Sequence, residues 1–194
     1  ERLQIDLRRT ELFLNNTQAN FYAQGSIAWA MDQLTNNLKQ KQPGKIVDRT
    51  PIKSPSDTVN GAKINSIIYD AEGKLNLNNI NNMQLQIVFK RLIQLTEPKI
   101  DAAAAQNIIL GTLDWITPGI INSKFDQYYA KQNSPFRAAH APMVSVSELR
   151  MVQGMTPALF NALAPYVTPL PAKTPSNINN DPIPLFMTCI PDFN

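Results

Sequence analysis

From Glu1 to Gln42 the chain has no proline and a single glycine, Gly25, while Ile27, Met31, Leu34 and Leu38 recur at steps of four, three and four. That period puts the four on one stripe of a helix. The spacing predicts a helix over the whole stretch, roughly 60 Å long at 1.5 Å per residue, stopped by Pro43-Gly44. Its first third sets Arg2, Asp6, Arg8, Arg9 and Glu11 around Leu3 and Leu7. The second half is therefore expected to pack and the polar first half to project. Phe13, Leu14, Phe21, Tyr22 and Gly25 fall outside the packing stripe and are the candidate partner-binding residues, because a monomer should not expose such apolar surface.

Ile46 to Asn60, with Pro51 and Pro55, reads as an exposed polar loop. Lys63 to Tyr69 is β-branched and predicts a strand; Asp70 to Gly73 turns it into a second strand at Lys74–Asn78, making a hairpin. Two helices follow. Met83 to Leu95 places Leu85, Val88, Leu92 and Leu95 on one face before Glu97-Pro98, and Asp101 is positioned to cap a helix running to Leu113. Between Pro135 and Thr168 the local signals agree best. Ser145 and Glu148 have capping-box spacing, Gly154 suits a helix end, and Thr156-Pro157 suits a new start that runs through Leu159, Phe160 and Leu163 to Pro165. A Pro-rich connection closes the sequence.

Composition adds exclusions. With 43% hydrophobic and 17% charged residues the chain is of the globular class, and a net charge of +3 from scattered basic residues calls for no polyanionic partner. The lone Cys189 makes no intrachain disulfide. No apolar run is long enough to span a membrane. His140 is the sole histidine, set in a Pro-flanked loop and expected to face solvent, and no nucleophile motif, zinc cluster or Gly-rich phosphate loop accompanies it. An enzyme is not expected, nor a small-molecule substrate. The alternative function is a helix-hairpin-helix nucleic-acid-binding module. Such a module needs open turn glycines and cations, whereas Gly154 stands alone with Arg150 opposed by Glu148, so no nucleic-acid partner is expected.

Several ordered segments, namely Ile68 to Asn78, Pro135 to Ala139, Ser145 to Arg150, Gly154 to Pro157 and Leu163 to Thr168, resemble the general secretion pathway protein K family, the large minor pseudopilins of type II secretion. Tyr22 to Gly25 with Ala28, Trp29 and Ala30 is similar to that family's helix beyond its membrane-spanning half. The resemblance implies an α+β fold in which a long N-terminal helix packs on a small antiparallel sheet carrying an inserted all-α domain. On that reading, residues 1–73 hold the pseudopilin helix and strands, 74–168 the insertion, and 169–194 a return segment.

It further implies a place at the pseudopilus tip with other minor pseudopilins as partners. The location would be the periplasm, anchored to the inner membrane by a transmembrane helix upstream of Glu1, where the helical pattern is already under way. The end at Asn194 reads as either a truncation or a short member. The family's loops after Asp114-Trp115 are acidic and suited to calcium. Here Thr117, Gly119, Ser123, Lys124 and Phe125 leave only Asp114 and Asp126, beside a lysine. Calcium wants six to eight oxygen ligands, so no metal or other cofactor is expected.

Overall fold

The computed structural model describes residues 2–39, 51–55, 57–59 and 61–174. The chain divides into two compact units, one ending at Tyr69 and one beginning at Asp70. Expectations for Pro43-Gly44 and for the tail from residue 175, Cys189 included, lie outside the described residues.

In the first unit, helix α1 runs unbroken over Arg2–Lys39. Four short strands follow: β1 (Ile52–Lys53), β2 (Asp57–Val59), β3 (Ala62–Ile64) and β4 (Ile67–Ile68). β2 pairs antiparallel with β3, Val59 opposite Ala62, and β1 pairs antiparallel with β4, Ile52 opposite Ile68. The Ser54 amide also donates to the Ser66 carbonyl at 2.8 Å. The two ladders lie in line with a one-residue offset in register, the mark of a bulge. This corrects two expectations. The stretch expected to be a loop contributes β1 and β2, and Lys63–Tyr69 splits into β3 and β4, which pair backwards with those strands and not forwards with Lys74–Asn78. The pair Asn60-Gly61 is the turn signal that favours such a hairpin.

The expected inward stripe of α1 is also corrected. Ile27, Met31 and Leu34 are exposed, and the half-buried positions are Thr17, Tyr22, Ser26, Trp29, Ala30 and Gln33. The side chain of Leu38 lies outside the described residues. The helix carries apolar groups on more than one face, and the strands took the face bearing the larger aromatics, Tyr22 and Trp29.

The second unit is mostly helical. Strand β5 (Leu75–Asn76) leads through a 3₁₀ turn at Leu77–Asn79 into α2 (Met83–Thr96), α3 (Ala102–Ile116) and α4 (Lys124–Tyr129). A 3₁₀ turn at Val146–Met151, α5 (Pro157–Leu163) and strand β6 (Val167–Thr168) complete it. Asn82, Asp101, Ser123 and Thr156 each cap a helix by accepting an early backbone N–H. The Ser145/Glu148 capping box forms, though on a 3₁₀ turn in place of the expected α-helix. Gly154 has φ +90°, a conformation that favours glycine, and a Cβ there would press on Ile108 Cγ1 at 3.2 Å. Phe89, Leu92 and Ile93 of α2 meet Ala105, Ile108 and Ile109 of α3 and Leu159, Phe160 and Leu163 of α5 in one buried cluster. Leu95, expected inside, is half exposed because the buried arc of α2 centres on Phe89. β5 pairs parallel with β6, Leu75 opposite Val167.

Candidate functional site

Three places could carry function. The first is the surface of α1. Phe13, Leu14 and Phe21 are 70%, 59% and 65% exposed. Tyr22 is instead turned to its own strands, its hydroxyl donating to the Val59 carbonyl at 3.2 Å while Gln18 Nε2 donates to that hydroxyl at 2.7 Å. This corrects the placement of Tyr22 outside the packing face. Phe21, Tyr22, Gly25 and Trp29 form one wall of a groove of about 540 Å³ whose other wall includes Val59 and Ile64. A Cβ on Gly25 would meet nothing within 4 Å. Glycine in a helix interior costs roughly 0.5–1 kcal/mol relative to alanine, and the described residues supply no packing reason for it.

The second place joins α3, α4 and the irregular segment after Phe136. Asp114, near the end of α3, and Asp126, in the first turn of α4, are both buried. The Ser123 hydroxyl donates to Asp114 Oδ2 at 3.0 Å and accepts the Asp126 amide at 3.0 Å. His140 reaches between them. Its Nδ1 lies 2.9 Å from the Asp114 carbonyl oxygen, and its Nε2 lies 3.1 and 3.0 Å from the two carboxylate oxygens of Asp126. The backbone there is held at φ +44°, in the left-handed region. His140 is thus not the solvent-facing loop residue the sequence suggested, because its ring is spent on two helices.

Burial would raise the Asp126 carboxyl, but the hydrogen bonds from His140 and from the Ala138 amide outweigh it and hold the group below the ordinary carboxylate range. For His140, burial works downward and is overcome by the hydrogen bond to Asp126, leaving the imidazole above its ordinary value. Asp114 is pushed up, chiefly by burial. Beside this cluster Tyr129 and Phe136 stack with ring centres 4.8 Å apart, and Trp115 packs edge-on against Tyr129 and tilted against Phe136. Burial lifts the Tyr129 hydroxyl to about 12.

Asp114, Asp126 and His140 could each offer one ligand atom, all within 4.8 Å of one another. The set does not fit the calcium that the resemblance implies. It has two carboxylates, one already engaged by Ser123, and a nitrogen in place of further oxygens. Nor does it fit a Ser-His-Asp relay. Ser123 donates to Asp114, and both ring nitrogens of His140 are engaged elsewhere, so none is free to accept its proton.

The third place is the turn around Gly154. The Gln153 amide donates to the Tyr129 hydroxyl at 3.1 Å and the Met155 amide to the Val152 carbonyl at 3.0 Å. Glu148 accepts the Trp115 indole N–H, and the Arg150 guanidinium sits 4.2 Å above the Phe160 ring. Groups that would grip a phosphate are committed to the fold, which disfavours the nucleic-acid reading.

Sequence reasoning missed His140 and Asn78. The alternation Asn76-Leu77-Asn78 was the available signal for the second. Nothing local signals the first, since its partners lie 14 and 26 residues away.

Comparison with known proteins bears on the whole. Residues 73–172 match the family described as Type II secretion system (T2SS), protein K. Type II secretion system protein K of Pectobacterium carotovorum subsp. carotovorum is 31% identical over 188 residues, covering 88% of this chain and 56% of the relative. That of Klebsiella pneumoniae is 28% identical over 182 residues, covering 86% and 55%. The chain thus spans a little over half the length of these relatives. The crystal structure of the GspK-GspI-GspJ complex from the enterotoxigenic Escherichia coli type 2 secretion system contains a chain of similar fold. Its TM-score is 0.68 at 20% identity, over 93% of this chain and 69% of that one.

Proposed function

The chain belongs to the type II secretion system protein K family, and from that premise we propose that it is a minor pseudopilin that works by packing and not by catalysis. Its partners are other minor pseudopilins, and its position is the tip of the pseudopilus, in support of protein export across the outer membrane. The observation that carries this reading is the unpartnered apolar surface of α1: Phe13, Leu14 and Phe21 stand in solvent, and one turn beyond Phe21 the missing side chain of Gly25 opens room for a close approach. The stripe of Ile27, Met31 and Leu34, exposed here, adds a second docking face. A helix exposing large apolar groups on more than one face is the expected form of a subunit that lies among others. The solved neighbour of similar fold was itself obtained in complex with two further proteins, GspI and GspJ, which supports the same kind of assembly here.

We place the protein on the periplasmic side of the inner membrane. No helix among the described residues is long and apolar enough to cross a membrane, so an anchor would be supplied by other sequence. The helical second unit serves as the bulky cap of the tip.

The test is binding. Mixed with the smaller minor pseudopilins of the same system, the protein should form a stable complex by analytical ultracentrifugation. Phe21→Asp should weaken it by about 2 kcal/mol or more, as for a central aromatic anchor, which is roughly thirtyfold in affinity. Phe21 is the better probe than Tyr22, whose hydroxyl also holds the hairpin. Unchanged affinity for both Phe21→Asp and Leu14→Asp would remove this surface from the reading.

A further inference from the structure

The cluster of Asp114, Asp126 and His140 is not used by the assembly reading, and its heavy-atom contacts fix where its protons lie. The Asp114 carbonyl oxygen has no hydrogen, so the 2.9 Å contact requires one on Nδ1 of His140. Nε2 faces both oxygens of Asp126. A bare lone pair there would repel an ionised carboxylate, so a second proton lies between them. Asp126 also accepts the Ala138 amide and is ordinarily much the stronger acid, so that proton rests on the ring.

We infer that His140 is itself the cation of this site: a fixed imidazolium neutralises Asp126, the Lys124 ammonium offsets Asp114, and the ring ties the 137–143 segment to α3 and α4, so the domain needs no divalent ion there.

Both ring nitrogens donate at ordinary lengths, a φ of +44° is tolerated at His140, and the Ala141 amide donates to the Trp115 carbonyl, so the segment is fastened on either side of the ring. The groups acting on the imidazole are Asp114 from α3 and Asp126 from α4, with Ser123 hydrogen-bonded to both aspartates between the two helices. The Lys124 ammonium adds positive charge near Asp114. The charges sum close to neutral without a metal, and a cation entering would have to displace the proton on Nε2.

The sign of the pH dependence follows. The raised imidazole contributes stability that is complete below the ordinary histidine value of 6.5 and is lost as pH rises through the folded value. Asp126, held low, contributes stability that is lost as pH falls below the carboxylate range. Asp114, pushed up by burial, opposes Asp126 on that acid limb.

Because His140 is the only histidine, its imidazole Cε1–H signal in the untagged protein can be followed by NMR without assignment of others. The expected titration midpoint lies above 6.5, unchanged by EDTA or by millimolar calcium. The melting temperature should likewise ignore both additions and fall as pH is raised through that midpoint. Asp126→Asn should return the midpoint to the ordinary value or below; should that variant fail to fold, the wild-type titration decides alone. A midpoint at or below the ordinary value, or a melting temperature raised by calcium or zinc and lowered by EDTA, would overturn the inference.

Discussion

Asn78 satisfies three backbone groups that no helix or ladder reaches. Its Oδ1 accepts the Met143 amide at 2.8 Å, and its Nδ2 donates to the Met143 and Leu170 carbonyls at 3.0 and 2.9 Å. Leaving a buried polar group unpaired costs about 1–3 kcal/mol. Asn78→Leu should therefore lower unfolding free energy by about 3 kcal/mol or more, measured by urea titration. Glu148 works in the same way at a more exposed place. Burial alone would raise its carboxyl, but the indole N–H of Trp115 and the amides of Ser145 and Val144 hold it below the ordinary range. Its contribution is present above that range and lost as pH falls through the folded value. Glu148→Gln should thus lower the melting temperature at neutral pH and flatten the acid limb between roughly pH 5 and pH 2. An unchanged acid limb would mean the carboxylate is not what the three donors recognise.

Among elements, those fixed by local chemistry could be read from sequence and those fixed by distant pairing could not. Asp101, Thr156-Pro157 and the Ser145/Glu148 box each act within four residues and cap where the pattern placed them, the box on a 3₁₀ turn, whereas Gly154 takes its positive φ in the turn beyond Val152 and not at a helix end. The β1–β4 hairpin was hidden by Pro51, Pro55 and polar neighbours, and β5 finds its partner β6 about ninety residues on, beyond any local window. The direction of α1 toward its strands was misread for another reason. Stepwise apolar spacing names a stripe but not which of two stripes is covered, and Tyr22 with Trp29 outweighed Ile27 with Met31. His140 and its two aspartates lie on three separate segments, so only folding brings them together. Packing within the helical unit is tight where α3 meets its neighbours. A Cβ at Gly111 would lie 3.0 Å from Val152 Cγ1 and 3.1 Å from Phe125 Cε1. Gly111→Ala should cost about 1–3 kcal/mol by overpacking, less any gain in helix propensity, and a stabilised variant by thermal melt would contradict that packing.

For the molecule as a whole, every buried hydrophobic residue among those described lies between Leu75 and Val167. The fragment 70–174 should accordingly give one cooperative unfolding transition by itself. Most large apolar groups of α1, Phe13, Leu14, Phe21, Ile27 and Met31 among them, remain in solvent, and this division of labour is the basis of the functional reading: one part supplies stability, the other supplies surface for neighbours. The most direct measurement is site-specific photo-crosslinking of the full-length protein in secreting cells. A cross-linker at Phe21 is compared with one at Lys90 on α2. The account predicts covalent adducts with another minor pseudopilin from position 21 and few from position 90. Adducts from position 90 with none from position 21 would contradict it.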